Sequence, residues 1–498
     1  MADTPTPTAV AQHVVPRLEW SEGRGFDASR EIRERALALG VGGFLLGPAP
    51  QDDVRALTKE LRTRARHPLL IAAEMERGAG QAFGGATGLP PLAAIAALDD
   101  ADAIRKAARL TAREARTLGV TWALAPVLDL DVDPANPIVG SRSFGSDPAT
   151  VAKLGAAWIE ACQQEGVLAC AKHFPGHGRT LTDSHLERPS VRVTRHELME
   201  RDLVPFRAAI KAGVASVMTA HVAFPKLDPA GPPATLSMAI VRVLLRERLG
   251  FDGLVVTDAL DMRALTSHSA ETDAAVASLF AGCDLVLKPT DVDATVAALT
   301  EAVADGTLDA ELLLRSQRRR LKWAQWAAPP SDWRRASTFD VASGNDLAER
   351  VIAPVRGEVG SLGPMIELFV VDDDSDMTAA PSRETLATAL RAAGFGVRDP
   401  GPLAAGAVRV VALFGDVLGG KGRAGYAPET IPAVNRAVAE AEAEGRRAVV
   451  IQFGHPRLAG GIAAANVITA WGGEKAMQEA VARWLARRRG NAESRITA

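Results

Sequence analysis

The spacing of apolar residues constrains this 498-residue chain more than any other feature. Over roughly the first 325 residues, short and almost uninterrupted apolar runs alternate with longer stretches whose apolar residues recur at helical spacing. Eight runs read as strands: Val14–Glu19, Gly42–Leu46, Leu69–Glu74, Trp122–Leu128, Leu168–Lys172, Ser216–Ala220, Gly253–Thr257 and Asp284–Leu287. Amphipathic stretches such as Ser29–Leu39, Ala101–Leu118, Val151–Gln164, Arg195–Ala212 and Met238–Leu249 lie between them. Strands apolar on both faces and separated by helices argue for a parallel sheet covered on both sides. Eight such units predict a closed (β/α)8 TIM barrel rather than an open doubly wound sheet, which rarely needs so many.

One barrel does not use up the chain. A helical stretch, Ala294–Trp326, leads into Ala328-Pro329-Pro330-Ser331, and loop-like sequence follows to about residue 345. The expected division is a barrel domain over residues 1–328, a linker over 329–346 and a smaller C-terminal α/β sandwich domain over 347–498. In the last part, strands are expected at Ile366–Val371, Val408–Phe414, Ala448–Phe453 and Asn466–Ala470. Helices are expected at Arg383–Ala393, Ile431–Glu444 and Lys475–Arg488.

Composition removes several functions. A net charge of −3 gives no electrostatic case for nucleic acid or an anionic membrane as partner. Three cysteines (Cys162, Cys170 and Cys283) cannot all pair and read as small buried hydrophobes in a reducing compartment. The opening MADTPTPTAVAQHVV has no basic n-region or apolar signal, and no uncharged apolar stretch is long enough to span a bilayer. The expected location is the cytoplasm, and no signal speaks to oligomeric state.

In a parallel barrel the reactive groups collect where strands end. Glu74 and Glu76 follow the third expected strand, and Asp129, Asp131 and Asp133 follow the fourth. Lys172 and His173 end the fifth, His221 follows the sixth and Asp258 the seventh. The richest segment is Lys172–His185, KHFPGHGRTLTDSH, with three of the nine histidines. His173 and His177 have a spacing that suits zinc on a helix, but Pro175, Gly176 and Gly178 argue against a helix there. Asp183-Ser184-His185 is an Asp-x-His pair, in which the carboxylate can orient the imidazole and raise its basicity for acid/base work. Asp258 could be a nucleophile or the N-cap of the next helix. Asp129 and Asp131 could structure their loop or, with Asp258, hold a metal; no ligand spacing supports the metal.

These residues carry a resemblance. KHFPGHGRTLTDSH resembles the signature of glycoside hydrolase family 3, in its β-N-acetylhexosaminidase branch. Ala125–Asp131 with Ile138–Gly145 (IVGSRSFG), Ser216–His221 (SVMTAH) and Leu254–Met262 (LVVTDALDM) resemble the family's fourth, sixth and seventh strand regions. The resemblance implies that Asp258 is the catalytic nucleophile and His185 the general acid/base, with Asp183 as its partner. It implies that Arg142, Lys172 and His173 hold the sugar hydroxyls and N-acetyl group. After the third strand the family pattern Asp-Gln-Glu-Gly-Gly, whose Asp grips sugar hydroxyls, is replaced here by Glu74-Met75-Glu76-Arg77-Gly78. Glu74 is one methylene longer, which puts the grip on the sugar in question.

The implied reaction needs no metal or cofactor. It is retaining hydrolysis of a non-reducing β-linked N-acetylglucosaminide, such as a muropeptide fragment met in peptidoglycan recycling. Because a neutral imidazole does not repel an anionic acceptor as a carboxylate would, phosphorolysis is a competing expectation. Specificity for another β-glycoside, a non-catalytic sugar-binding barrel and a metal-dependent barrel hydrolase are the others. The C-terminal domain is expected to be structural or substrate-limiting.

Overall fold

The computed structural model describes residues 6–328, 338–374, 382–401, 407–416 and 420–489. Two parallel sheets carry the first part. One runs Val14–Val15, Leu285–Leu287, Leu254–Ala259, Ser216–Thr219, Cys170–Phe174 in spatial order; the other runs Arg17–Leu18, Gly43–Leu46, Leu70–Ala73, Trp122–Ala123. The single strand expected at Val14–Glu19 is thus two short pieces around Pro16, one in each sheet. Proline has no N–H to give a ladder, so the break falls there. On the far side, Trp122 bridges Leu168 in parallel, and the Cys170 N–H donates to the Ala125 carbonyl at 2.7 Å.

Both faces of these strands are covered, which explains their near-continuous apolar runs. Residues of these strands and of the Trp122–Leu168 bridge, among them Val15, Leu45, Leu70, Trp122, Leu168, Met218, Leu254 and Leu285, form one buried cluster. Their alternate neighbours, such as Phe44, Ile71, Val217, Val255 and Val286, pack outward against helix residues Leu57, Ile104 and Trp158. The one polar atom of Trp122 is satisfied in this interior, where its Nε1–H donates to Ser216 Oγ at 2.8 Å. All three cysteines are buried and unpaired.

The expected helix Ala294–Trp326 is two, Val292–Ala304 and Ala310–Trp326. Gly306, at φ +83°, takes the left-handed turn that separates them. The second helix closes the amino end of the sheets: Arg319 binds Asp284 Oδ1 at 2.8 Å, and Arg320 donates to the Pro68 and Gly42 carbonyls.

The C-terminal part holds a six-stranded sheet in the order Ala353–Arg356, Val467–Thr469, Ala448–Phe453, Val408–Phe414, Met365–Asp372, Gly396–Arg398. Only the edge strand Ala353–Arg356 is antiparallel. Helices Glu384–Ala392 and Lys475–Ala486 share one buried cluster with the sheet; Thr430–Ala443 shares the other. The two edge strands escape the sequence pattern because they are short and Ala353–Arg356 is exposed throughout. Of the expected linker, residues 329–337 lie outside the described residues. Thr338–Arg350 is a helix rather than loop to about residue 345. It is held by Arg350–Asp100 on one side and Arg483–Glu349 on the other.

Candidate active site

Where the parallel strands end, a cavity of about 910 Å³ opens. Its floor and walls bring together Glu74, Glu76, Arg142, Lys172, His173, His185 and Asp258. Six of these are expected site residues. Asp183, the seventh, lies behind His185. The cavity's outer wall comes from the C-terminal part, through Asp374, Arg383, Asp416, Glu474 and Lys475.

Asp258 lies inside strand Leu254–Ala259. The following helix, Arg263–Thr266, takes Met262 as its N-cap, so Asp258 does not cap it. One carboxylate oxygen accepts the Ala259 N–H at 2.8 Å. Burial, the largest single influence, pushes this carboxyl up; His173, His221 and His185 together outweigh it and hold the group at about 2. Asp258 is therefore an anion at any physiological pH.

His185 is set by its neighbour two residues back. Its Nδ1 lies 2.7 Å from Asp183 Oδ1, and its backbone N–H donates to the same oxygen at 2.8 Å. Asp183 is fully buried, whereas 44% of the His185 side chain is exposed to the cavity. Burial lowers the imidazole's affinity for a proton, but the Asp183 contact and the Asp258 charge more than restore it, and the net direction is up. An imidazole anchored at Nδ1 leaves Nε2 free to give and take a proton.

Lys172, at the end of the fifth expected strand, is 1% exposed and donates to Glu74 Oε2 at 2.6 Å; Glu76 Oε1 lies 2.8 Å away. Arg142 grips Glu76 with two parallel bonds, Nε to Oε2 at 2.9 Å and Nη2 to Oε1 at 2.7 Å. Burial pushes the Glu76 carboxyl up, but Arg142 and Lys172 carry it well below the carboxylate range. Burial also pulls Lys172 down, and Glu74 and Glu76 raise it beyond its ordinary value. Glu74 thus reaches both the cavity and the lysine; the extra methylene does not remove it from the site.

Asp129 does not face a metal. Its carboxylate accepts the His177 N–H at 2.6 Å and lies 2.6 Å from His173 Nδ1. It structures the loop and orients the His173 ring. His177 is turned to Thr180 and Ser184 at 2.8 and 3.0 Å, and burial lowers it to about 4. Asp131 pairs with Arg457. Among the described residues no group of three or more His, Cys, Asp or Glu side chains is arranged to hold a metal ion.

Glu76, Asp129 and the C-terminal wall were not among the expected site residues. Glu76 had a signal, since it stands just past the third strand; Asp129 had the same signal. Arg383, Asp416 and Lys475 had none, because nothing local in the sequence links them to the strand ends of the first part.

A deep polar cavity with a fixed anion and an oriented imidazole suits acid/base-assisted cleavage at an acetal carbon, the chemistry of glycoside hydrolases. The family model described as the glycosyl hydrolase family 3 N-terminal domain matches residues 10–322, more than half of the chain. The chain belongs to this family and is a glycoside hydrolase. It is 39% identical over 257 residues to a β-hexosaminidase of Thiobacillus denitrificans, spanning 50% of this chain and 71% of that protein. It is 38% identical over 284 residues to a β-N-acetylglucosaminidase/β-glucosidase of Cellulomonas fimi, which covers 55% of this chain but only half of that longer relative. A solved family 3 β-N-acetylglucosaminidase from Paenibacillus sp. str. FPU-7 superposes with a TM-score of 0.82 at 28% identity, covering 98% of this chain and 97% of its own. A β-glucoside phosphorylase shares the fold at the same TM-score and 21% identity, covering 98% and 93%.

Proposed function

We propose that this protein releases non-reducing terminal β-linked N-acetylglucosamine with retention of configuration. One observation carries the reading: the ionised Asp258 and the Asp183-anchored His185 open into one cavity floored by Lys172, Arg142, Glu74 and His173. Asp258 attacks the anomeric carbon while the His185 imidazolium protonates the departing oxygen, so one C–O bond forms as the other breaks. His185, now neutral, takes a proton from water, and the resulting attack releases the sugar from the Asp258 ester. Lys172, Arg142, His173 and Glu74 position the sugar. The reaction needs no metal or cofactor.

The two parallel sheets, joined at residues 14–18 and at the Trp122–Leu168 bridge, are read as one closed eight-stranded barrel over residues 1–328. The sandwich domain is read as residues 347–498. A cytoplasmic cell-wall fragment is the proposed natural substrate, on the strength of the named relatives and the sequence resemblance. No helix among the described residues is long and apolar enough to cross a membrane. Phosphorolysis is the second reading, favoured by the imidazole where most glycosidases place a carboxylate.

The test is a panel of aryl β-glycosides of N-acetylglucosamine, N-acetylgalactosamine, glucose and xylose, each with and without phosphate, with product identification. Release of free N-acetylglucosamine from its glycoside is expected. Sugar-1-phosphate as the main product would replace hydrolysis by phosphorolysis, and preference for glucose would overturn the substrate. Asp258→Ala should be nearly inactive, and a slow fluorosugar should leave an adduct on Asp258 of the parent.

A further inference from the structure

The proton-transfer pair is not held by its own loop alone. The second carboxylate oxygen of Asp183, Oδ2, accepts the backbone N–H of Gly420 at 2.7 Å. Gly420 lies 237 residues away, in the C-terminal part of the chain. That amide is fixed by its neighbour. The Lys421 ammonium is 2% exposed and sits between two buried carboxylates, 2.6 Å from Asp374 Oδ1 and 2.9 Å from Asp373 Oδ2, and donates to the Asp416 carbonyl at 3.2 Å. Asp373 is held in turn by Arg423, by the Ala427 N–H at 2.8 Å and by Thr430. A second contact follows the same line: a Cβ on Gly422 would come within 2.9 Å of Leu186 Cδ1, so the 420–422 backbone lies against the residue after His185.

We propose that the C-terminal unit is a working part of proton transfer: Lys421, through the Gly420 amide, fixes Asp183 and thereby keeps His185 oriented. Lys421 is a positioning residue and touches neither substrate nor the reacting atoms. The inference rests on the assignment of His185 and Asp183 above and adds to it an obligatory contact from the other unit. Physically, an N–H donated to a carboxylate stabilises its charged form. With Oδ2 occupied and Oδ1 bound to the ring, the carboxylate cannot swing away, and the imidazole keeps one tautomer. The largest charged influences on His185 are Asp183, Asp258 and Arg142, and His221 is coupled to it. All four lie in the first part of the chain, and the Gly420 amide is the contribution of the C-terminal part.

The experiment uses the full chain with Lys421→Met, Lys421→Arg and Asp373→Asn, alongside the parent and His185→Ala. Values of kcat/KM are measured across pH on a dinitrophenyl glycoside, which needs no acid, and on an alkyl glycoside, which does. Melting curves accompany each variant. General acid help is worth ~10²–10⁴-fold, so partial loss of orientation in Lys421→Met should cost ~10–100-fold on the alkyl glycoside. The dinitrophenyl glycoside should change less than about twofold, the alkaline limb should move to lower pH, and Lys421→Arg should recover most of the loss. Asp373→Asn, which removes one of the two carboxylates, should fall in between. Equal losses on both substrates, or no loss on either, would overturn the proposal. If His185→Ala itself failed to discriminate between the substrates, the acid/base assignment would fall instead.

Discussion

At the scale of single residues, the site is a set of charges that control one another. The raised proton affinity of His185 has a definite consequence for rate. On the proposed assignment, its imidazolium persists to higher pH than that of a free imidazole, so the alkaline fall in kcat/KM on poor leaving groups should lie above the usual ~6.5. Asp258, at about 2, puts no acid limb in the accessible range. A pH profile of the parent against His185→Ala checks this, since the alkaline limb should vanish with the ring. Glu76 makes a different prediction. It is shared by Lys172 and Arg142, and Glu76→Gln would leave two buried cations short of a counter-charge. Breaking a buried pair typically costs ~3–5 kcal/mol, so denaturant unfolding should show a loss of that order together with a raised KM. The strand-end rule made Asp258, Lys172 and His173 legible. It did not say which of Glu74 and Glu76 is the buried hub, because that depends on Arg142 arriving from 66 residues away.

At the scale of elements, the alternation of apolar runs and helices made most of the architecture readable. What it missed has physical causes. Pro16 splits a strand that looks continuous, and Gly306 splits a helix that looks continuous. Helix Thr338–Arg350 is polar on much of its surface and sits beside a proline-rich break, so its pattern read as loop. The closing helix Ala310–Trp326 shows how one buried group ties elements together. Asp284 accepts from Arg319, Arg246 and the Val255 N–H, and although burial opposes its charge, the two arginines leave its carboxyl below the ordinary value. A depressed carboxylate adds stability that is complete above its unfolded-state value of ~3.9 and is lost as pH falls through the folded one. Asp284→Asn should therefore lower the melting temperature at pH 7 and lessen the further loss on acidification, which calorimetry at several pH values would measure.

At the scale of the whole molecule, the C-terminal part is bonded to the cavity as well as to the surface of the first part. Arg77, in the position where the family pattern has glycine, binds Asp416 at 2.9 Å and Ser141 at 3.2 Å and also pairs with Glu474. Arg457 adds a pair with Asp131. No local pattern announces such a joint: its members are separated by more than 300 positions and acquire meaning only when folded. Arg77→Met should remove the cation that links Asp416 and Glu474 to the first part of the chain and loosen the joint. Scanning calorimetry should then resolve two transitions, with a single one expected for the parent.

The filled interior beneath the site has a kinetic consequence. Among the described residues, Trp122, Met218 and their neighbours fill the interior below the cavity, so entry and exit are expected through the mouth lined by Asp374, Arg383, Asp416 and Glu474. On the proposed reaction, the aglycone sits nearer that mouth and must depart before the acceptor arrives, while the sugar, lodged deepest, leaves last. Traffic through the enzyme is therefore strictly sequential. Added N-acetylglucosamine should compete with substrate, because it binds the empty enzyme, whereas added aglycone alcohol should intercept the glycosyl ester and appear as a transfer product in chromatography of the reaction mixture.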